Sequence, residues 1–145
     1  WPVPIVVGKA GDCEEYALTL SRGFFGRDAV TPDEVELGRI MFHMPSASAL
    51  VARIDGQAAG ACGASMRNGV ASLYGDATLS AYRRRGAHAS MIAARLNAAA
   101  QCGCELATAG TQPGSISQRN YQRFGFEVAY TKVTMIAPPE LYNRK

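Results

Sequence analysis

Apolar residues recur along the chain with two periods, and the switches between them mark out its elements. The run Pro4-Ile-Val-Val-Gly-Lys-Ala10, rich in β-branched residues, predicts a first strand. From Asp12 the period lengthens: Tyr16, Leu20 and Phe24 recur at i, i+4 and i+8, the apolar face of a helix running to about Phe24. Asp12 caps it, with Glu15 three positions on as in a capping box. Thr31-Pro32-Asp33-Glu34 opens a second helix, because threonine caps, proline fits the first turn and two carboxylates complement the helix dipole. That helix fades at Phe42 to His43, before Pro45.

A β-meander follows, signalled twice by turn chemistry. Ala49–Ile54, Gln57 to about Met66 and Val70–Leu79 read as three antiparallel strands. They are joined by Asp55-Gly56 and Asn68-Gly69, residues that accept the positive φ angles of tight hairpins. The helical period returns from His88 to about Gln101, with Ile92, Leu96 and Ala99/Ala100 facing the sheet and Gly103 stopping the helix. A short buried strand at Glu105–Thr111, a helix capped by Ser115 and Gln118 that runs to Phe124, and a last strand from Phe126 to about Ile136 complete the chain. The order is β-α-α-β-β-β-α-β-α-β. The fold class is α/β (α+β), a mixed, mostly antiparallel sheet of about six strands flanked by four helices. With 145 residues, the chain is long enough to bury a core as one domain over residues 1–145.

No apolar run approaches the ~20 residues that span a bilayer, so no membrane partner is expected. Cys13, Cys62, Cys102 and Cys104 show neither Cys-x-x-Cys pairing nor partnering histidines, so no metal site is expected. Free thiols fit a cytoplasmic setting. The start at Trp1, without an initiator methionine, points to a processed product or a fragment of a longer chain.

The net charge of +3 is unevenly spread. Residues 1–60 carry five Lys/Arg against eight Asp/Glu, and residues 61–145 carry ten against four. An anionic ligand is therefore expected on the second half, and the first half suits a cationic acceptor or simply exposes carboxylates to water. Basic residues without an aromatic stripe give no support for nucleic acid.

The basic excess is densest at Arg83-Arg84-Arg85-Gly86-Ala87-His88-Ala89, between the third meander strand and a helix start. Unpaired N–H groups, a helix dipole and guanidinium groups there make a phosphate cradle. Neither Gly-x-x-x-x-Gly-Lys-Ser/Thr nor Gly-x-Gly-x-x-Gly occurs, so nucleoside triphosphates and dinucleotides are not indicated. Arg83 to His88 instead resembles the Arg/Gln-x-x-Gly-x-Gly/Ala acyl-CoA pyrophosphate loop of the GNAT N-acetyltransferase superfamily. Tyr121-Gln-Arg-Phe-Gly-Phe126, downstream, is similar to that family's Tyr-x-x-x-Gly-Phe segment.

The resemblance implies an N-acyltransferase that moves an acetyl group from acetyl-CoA to a primary amine, on a small molecule or a peptide, by direct attack on the thioester. It places pantetheine along main chain near Asp76, Ala77 and Thr78, and the diphosphate on Arg83, Arg84, Arg85, Gly86, Ala87, His88 and Ala89. It makes Tyr121 the acid for the departing thiolate. Asp76 is the expected base, with Glu105 and His43 behind it, since no carboxylate stands near Ala109. Packing and hydrogen-bonding roles for Tyr121 and Asp76 stay open beside these.

Two further positions depart from the family pattern. His88 stands where relatives carry Gly or Ala, and Gly114 where they place Asn, with Ser115, Ser117 or Asn120 as substitutes. A catalytically degenerate CoA-binding or regulatory module is therefore the alternative. Phe24, Phe25, Phe42, His43 and Met44 are either core or the lining of an acceptor pocket. The polar tail from Pro138 leaves no room for a further strand, so the sheet edge is expected to need a homodimer partner, a tandem domain or a preceding segment to cover it.

Overall fold

The computed structural model describes residues 3–141. They belong to two compact units, Trp1–Thr111 and Gln112–Lys145.

The first unit is a five-stranded sheet in the order β1 (Ile5–Lys9), β2 (Ala47–Ile54), β3 (Gln57–Arg67), β4 (Val70–Thr78) and β5 (Leu106–Ala109). Strands β1 to β4 are antiparallel in sequence, and β5 runs parallel to β4. The two hairpins form at the expected dipeptides, with φ of 51° and 75° at Asp55-Gly56 and of 52° and 76° at Asn68-Gly69. Two left-handed residues in a row twist the turn to match its strands.

Helix α1 (Cys13–Phe25) begins where the Asp12 carboxylate accepts from the Glu14 amide at 2.8 Å, and ends at Gly26, with φ of 69°. Helix α2 (Pro32–His43) starts in a full capping box, Thr31 and Glu34 each accepting from the other's amide. The two helices touch where Gly38 lies against Ala17, so closely that a methyl on Gly38 would meet the Ala17 Cα at 2.7 Å. One sheet face packs Ala49, Val51, Ala61 and Ala77 on Tyr16 and Leu20 of α1. The other packs Ala52 and Cys62 on Met91 of α3 (Ala87–Gln101). Alternate strand residues thus serve opposite layers.

Two helix faces differ from the sequence expectation. Phe24 is 68% exposed, because Gly23 instead meets β4, tightly against Ala77 and Thr78. In α3 the buried residues are Ala87, Met91, Ile92, Arg95 and Ala99, whereas Leu96 is only half-buried. The helix is turned so that an arginine, Arg95, lies in its buried stripe.

The second unit contains α4 (Ile116–Arg123), capped by Ser115 at 3.1 Å from the Gln118 amide. Tyr121 is buried and meets the Phe126 ring edge to face, 5.0 Å between centroids. The sixth strand expected from Phe126 to Ile136 does not form among the described residues. That segment has no regular structure, and Tyr130, Val133, Met135 and Ile136 are more than 80% exposed. Its alternation fits a strand, but a strand exists only where another edge supplies its hydrogen bonds.

Candidate active site

A break in the sheet lies between its third and fourth strands. In β3 and β4, Ala61 faces Ala77 and Gly63 faces Tyr74, so Cys62 stands opposite two residues, Gly75 and Asp76. The extra residue is a β-bulge, and Gly75 holds it with a left-handed φ of 67°. A side chain there would also collide with Met41, 2.5 Å from the Met41 methyl. The β4–β5 ladder ends at Leu73–Ala109, just before the bulge, so residues 74–78 have no strand partner on that side among the described residues. This leaves an open edge of main chain.

A bulge also strands carbonyls that the ladder would have used. Tyr16 Oη, from α1, donates to the Cys62 carbonyl at 3.3 Å, and burial pushes its pKa up, so it stays a donor. Arg95 Nη1, from α3, donates to the Gly63 carbonyl at 3.1 Å and the Tyr74 carbonyl at 3.4 Å. Its Nε donates to the Met91 carbonyl at 3.0 Å. A fully buried guanidinium needs a counter-charge. Asp76 supplies it, with Oδ1 2.6 Å from Arg95 Nη2.

The second Asp76 oxygen is 3.0 Å from His88 Nε2. Asp76, expected as the proton acceptor, thus has both oxygens engaged in the bulge. The bulky His88, at a position where Gly or Ala was expected, turns its ring to Asp76.

Between β4 and α3, a single 3₁₀ turn at Ser80–Tyr82 leads into the arginines. Arg83 reaches back to the carbonyls of Gly23 at 3.4 Å and Thr78 at 3.5 Å, tying the loop to the end of α1. Arg85 lies over the Tyr82 ring, 5.5 Å from its centroid. Arg84 and Gly86 are both left-handed, with φ of 61° and 88°. No side chain caps α3, whose N-cap is Gly86, and no acidic residue lies between Ala77 and Ala89. Main-chain amides at a positive helix end, beside exposed guanidinium groups, can hold a diphosphate.

Ala77, Thr78 and residues 83–89 therefore adjoin the bulge in the first unit, and Tyr121 lies in the second unit. Phe42 packs against the core, its ring tilted at 52° to that of Tyr16 with 5.9 Å between centroids. Phe24 and Phe25 line a small apolar cleft of about 80 Å³ with Leu20, Leu37 and Met41, and Gly75 of the bulge forms part of its wall. His43 and Met44 border a separate shallow hollow, and His43 Nε2 is 3.6 Å from Cys13 Sγ. Glu105 is exposed at the start of β5. Among the described residues no three His, Cys, Asp or Glu side chains gather as a metal would need, and no helix is long and apolar enough to cross a membrane.

Sequence reasoning missed Arg95, Tyr16 as a carbonyl donor and the bulge itself. A lone glycine inside a strand pattern, Gly75, was the available signal for the last.

A family model described as acetyltransferase (GNAT) family matches residues 15–126, more than half of the chain. Curated protein sequences give no match. Among solved structures, a transcriptional regulator from Bacillus halodurans C-125 superposes with a TM-score of 0.72 at 19% identity, over 92% of this chain and 100% of the other. AAC(6')-Iy in complex with the bisubstrate analogue CoA-S-monomethyl-acetylneamine gives 0.69 at 22%, over 93% and 99%. Glucosamine-6-phosphate N-acetyltransferase from Arabidopsis thaliana gives 0.67 at 10%, over 92% and 98%. At these identities the likeness shows the fold alone, and it is the match over 15–126 that fixes the family. The chain belongs to the GNAT acetyltransferase family.

Proposed function

We infer that the protein transfers an acetyl group from acetyl-CoA to a primary amine. The observation that carries this reading is the open β4 edge at residues 74–78 running into the uncapped, basic start of α3. The edge suits an extended pantetheine, which would pair with it as an added strand. The amides of residues 84–89 suit the diphosphate, with Arg84 and Arg85 beside them and Arg83 holding the loop. The AAC(6')-Iy structure that contains a CoA-derived analogue has the same fold, which is consistent with this placement. The family match spans both compact units, which supports reading residues 1–145 as one transferase domain.

On this reading the amine nitrogen attacks the thioester carbon. A main-chain N–H near Ala77 or Thr78 stabilises the charge that develops on its oxygen. Tyr121 gives a proton to the departing sulfur, and the amine's own proton passes to water, since Asp76 is already committed to Arg95 and His88. The apolar cleft walled by Gly75 favours an amine that carries an apolar group, on a small molecule or a peptide. The occupied Asp76 carboxylate is also what favours the second reading, a CoA-binding module without catalysis.

Calorimetry with CoA and a thiol-release assay over a panel of amines test both. CoA binding with amine-dependent thiol release is expected. Binding with no release from any amine leaves the module, and absence of binding removes both readings.

A further inference from the structure

Helix α3 holds the bulge by two side chains set seven residues apart. His88, in its first turn, and Arg95, two turns on, both grip the Asp76 carboxylate, at 3.0 Å and 2.6 Å. Residues seven apart share a helix face, and the long arginine leans back toward the helix N-terminus. Arg95 also holds the carbonyls on both strands of the break, Gly63 on β3 and Tyr74 on β4. His88 is 17% exposed, Asp76 12% and Arg95 fully buried, so water competes weakly for these contacts. A shift of α3 along its axis would therefore pull on Asp76, and through it on the main chain of 74–78.

The same helix start is where a diphosphate would bind. Resting on the acetyl-CoA reading above, we propose that His88, Asp76 and Arg95 form a positioning relay, which ties diphosphate binding at the start of α3 to the alignment of the β4 bulge that faces the thioester. His88 is the link between the two: its main chain belongs to the cradle and its ring to the bulge. None of the three needs to touch the reacting atoms. They are positioning residues, and the main chain they align is what binds.

The test separates the ends of the relay with a probe that reaches only one. The 3′-phosphorylated ADP moiety of CoA carries the diphosphate and lacks the pantetheine. It is titrated into ¹⁵N-labelled full-length protein while the amide resonances of Ala77 and Thr78 are followed. In the wild type the probe is expected to shift both, although it cannot reach them. His88→Ala is expected to bind the probe within about threefold of wild type while losing most of that shift, and to lower kcat by about tenfold at unchanged KM for acetyl-CoA. His88→Gln, whose amide nitrogen sits where Nε2 does, is expected to restore both. Arg95→Met repeats the experiment from the other end, and thermal melts of each variant exclude unfolding. Equal shifts in wild type and His88→Ala, or a His88→Gln variant as impaired as His88→Ala, overturn the relay while leaving the acetyl-CoA reading intact. A wild type that binds neither the probe nor CoA overturns both.

Discussion

Tyr16 and Arg95 reach one break in the sheet from its two faces. Tyr16 Oη binds the Cys62 carbonyl from the α1 layer, and Arg95 Nη1 binds the neighbouring Gly63 carbonyl from the α3 layer, at 3.3 and 3.1 Å. Both side chains are fully buried, and the carbonyls they bind lie at the bulge. Removing either takes a buried donor away from its carbonyl, but the consequences differ in size. Tyr16→Phe loses one neutral hydrogen bond and is expected to cost about 1 kcal/mol. Arg95→Met removes the guanidinium that pairs with the buried Asp76 charge and is expected to cost about 3–5 kcal/mol. Urea titration of both variants and of the pair measures the costs and their coupling. A cost for Arg95→Met no greater than that for Tyr16→Phe would show that Asp76 does not depend on it.

Gly75 is required twice over, by its φ of 67° and by the Met41 methyl that a side chain would strike. Because Met41 is flexible at that end, the backbone strain sets the expected loss. Gly75→Ala is expected to destabilise by about 1–2 kcal/mol. It should also lower acetyl transfer more than CoA binding, since it distorts the edge without touching the diphosphate cradle. Urea titration and calorimetry measure the two effects separately.

Glu34 gives a pH-dependent contribution. The Thr31 amide and then Arg27 hold its carboxyl below the ordinary value of 4.5. A group whose pKa is lower in the folded state stabilises the fold above its unfolded value, and this is lost as pH falls through the folded one. Glu34→Gln should therefore melt below wild type at pH 7, and the gap should close as the pH drops below 4.5. A gap independent of pH would mean that the side chain contributes by shape alone.

The cysteines are expected to separate by exposure. Cys62 is fully buried, and burial pushes its thiol up to about 12, so almost no thiolate forms at neutral pH. Cys102 is exposed at the end of α3. Brief treatment with N-ethylmaleimide followed by peptide mass analysis should find the adduct on Cys102 and none on Cys62 until denaturant is added. A Cys62 adduct on the native protein would show that the β3–α3 layer opens.

Local chemistry explains which parts of this fold the sequence disclosed. Asp12, Thr31 and Ser115 cap helices, and Asp55-Gly56 and Asn68-Gly69 turn hairpins, through contacts within a few residues, and the structure repeats each of them. The run 126–136 has a strand's alternation, but its pairing depends on a distant edge that no local pattern specifies. Arg95 escaped for a related reason. An arginine in a helix reads as solvent-facing until the carbonyls of Gly63 and Tyr74 and the carboxylate of Asp76 are seen to converge on it. The arginine loop stood out in the sequence as a charged turn before a helix, yet not that Arg83 turns back to hold Gly23.

Tyr121 is the residue on which catalysis and packing can be told apart by one atom. Its ring is buried against Phe126, and its main-chain carbonyl accepts from the amides of Phe124 and Phe126, so the ring and backbone organise the end of α4. The hydroxyl is what the proposed proton transfer needs. Tyr121→Phe keeps the ring and is expected to shift the melting curve less than removing the ring does, while lowering kcat by about 10²-fold, the low end for a lost general acid, with KM for acetyl-CoA unaltered. Tyr121→Leu should lose stability as well, because the edge-to-face contact goes with the ring. Thiol release at saturating acetyl-CoA, beside thermal melts of both variants, gives the comparison. Should the Phe variant turn over as fast as wild type, the ring alone matters and the thiolate takes its proton from water.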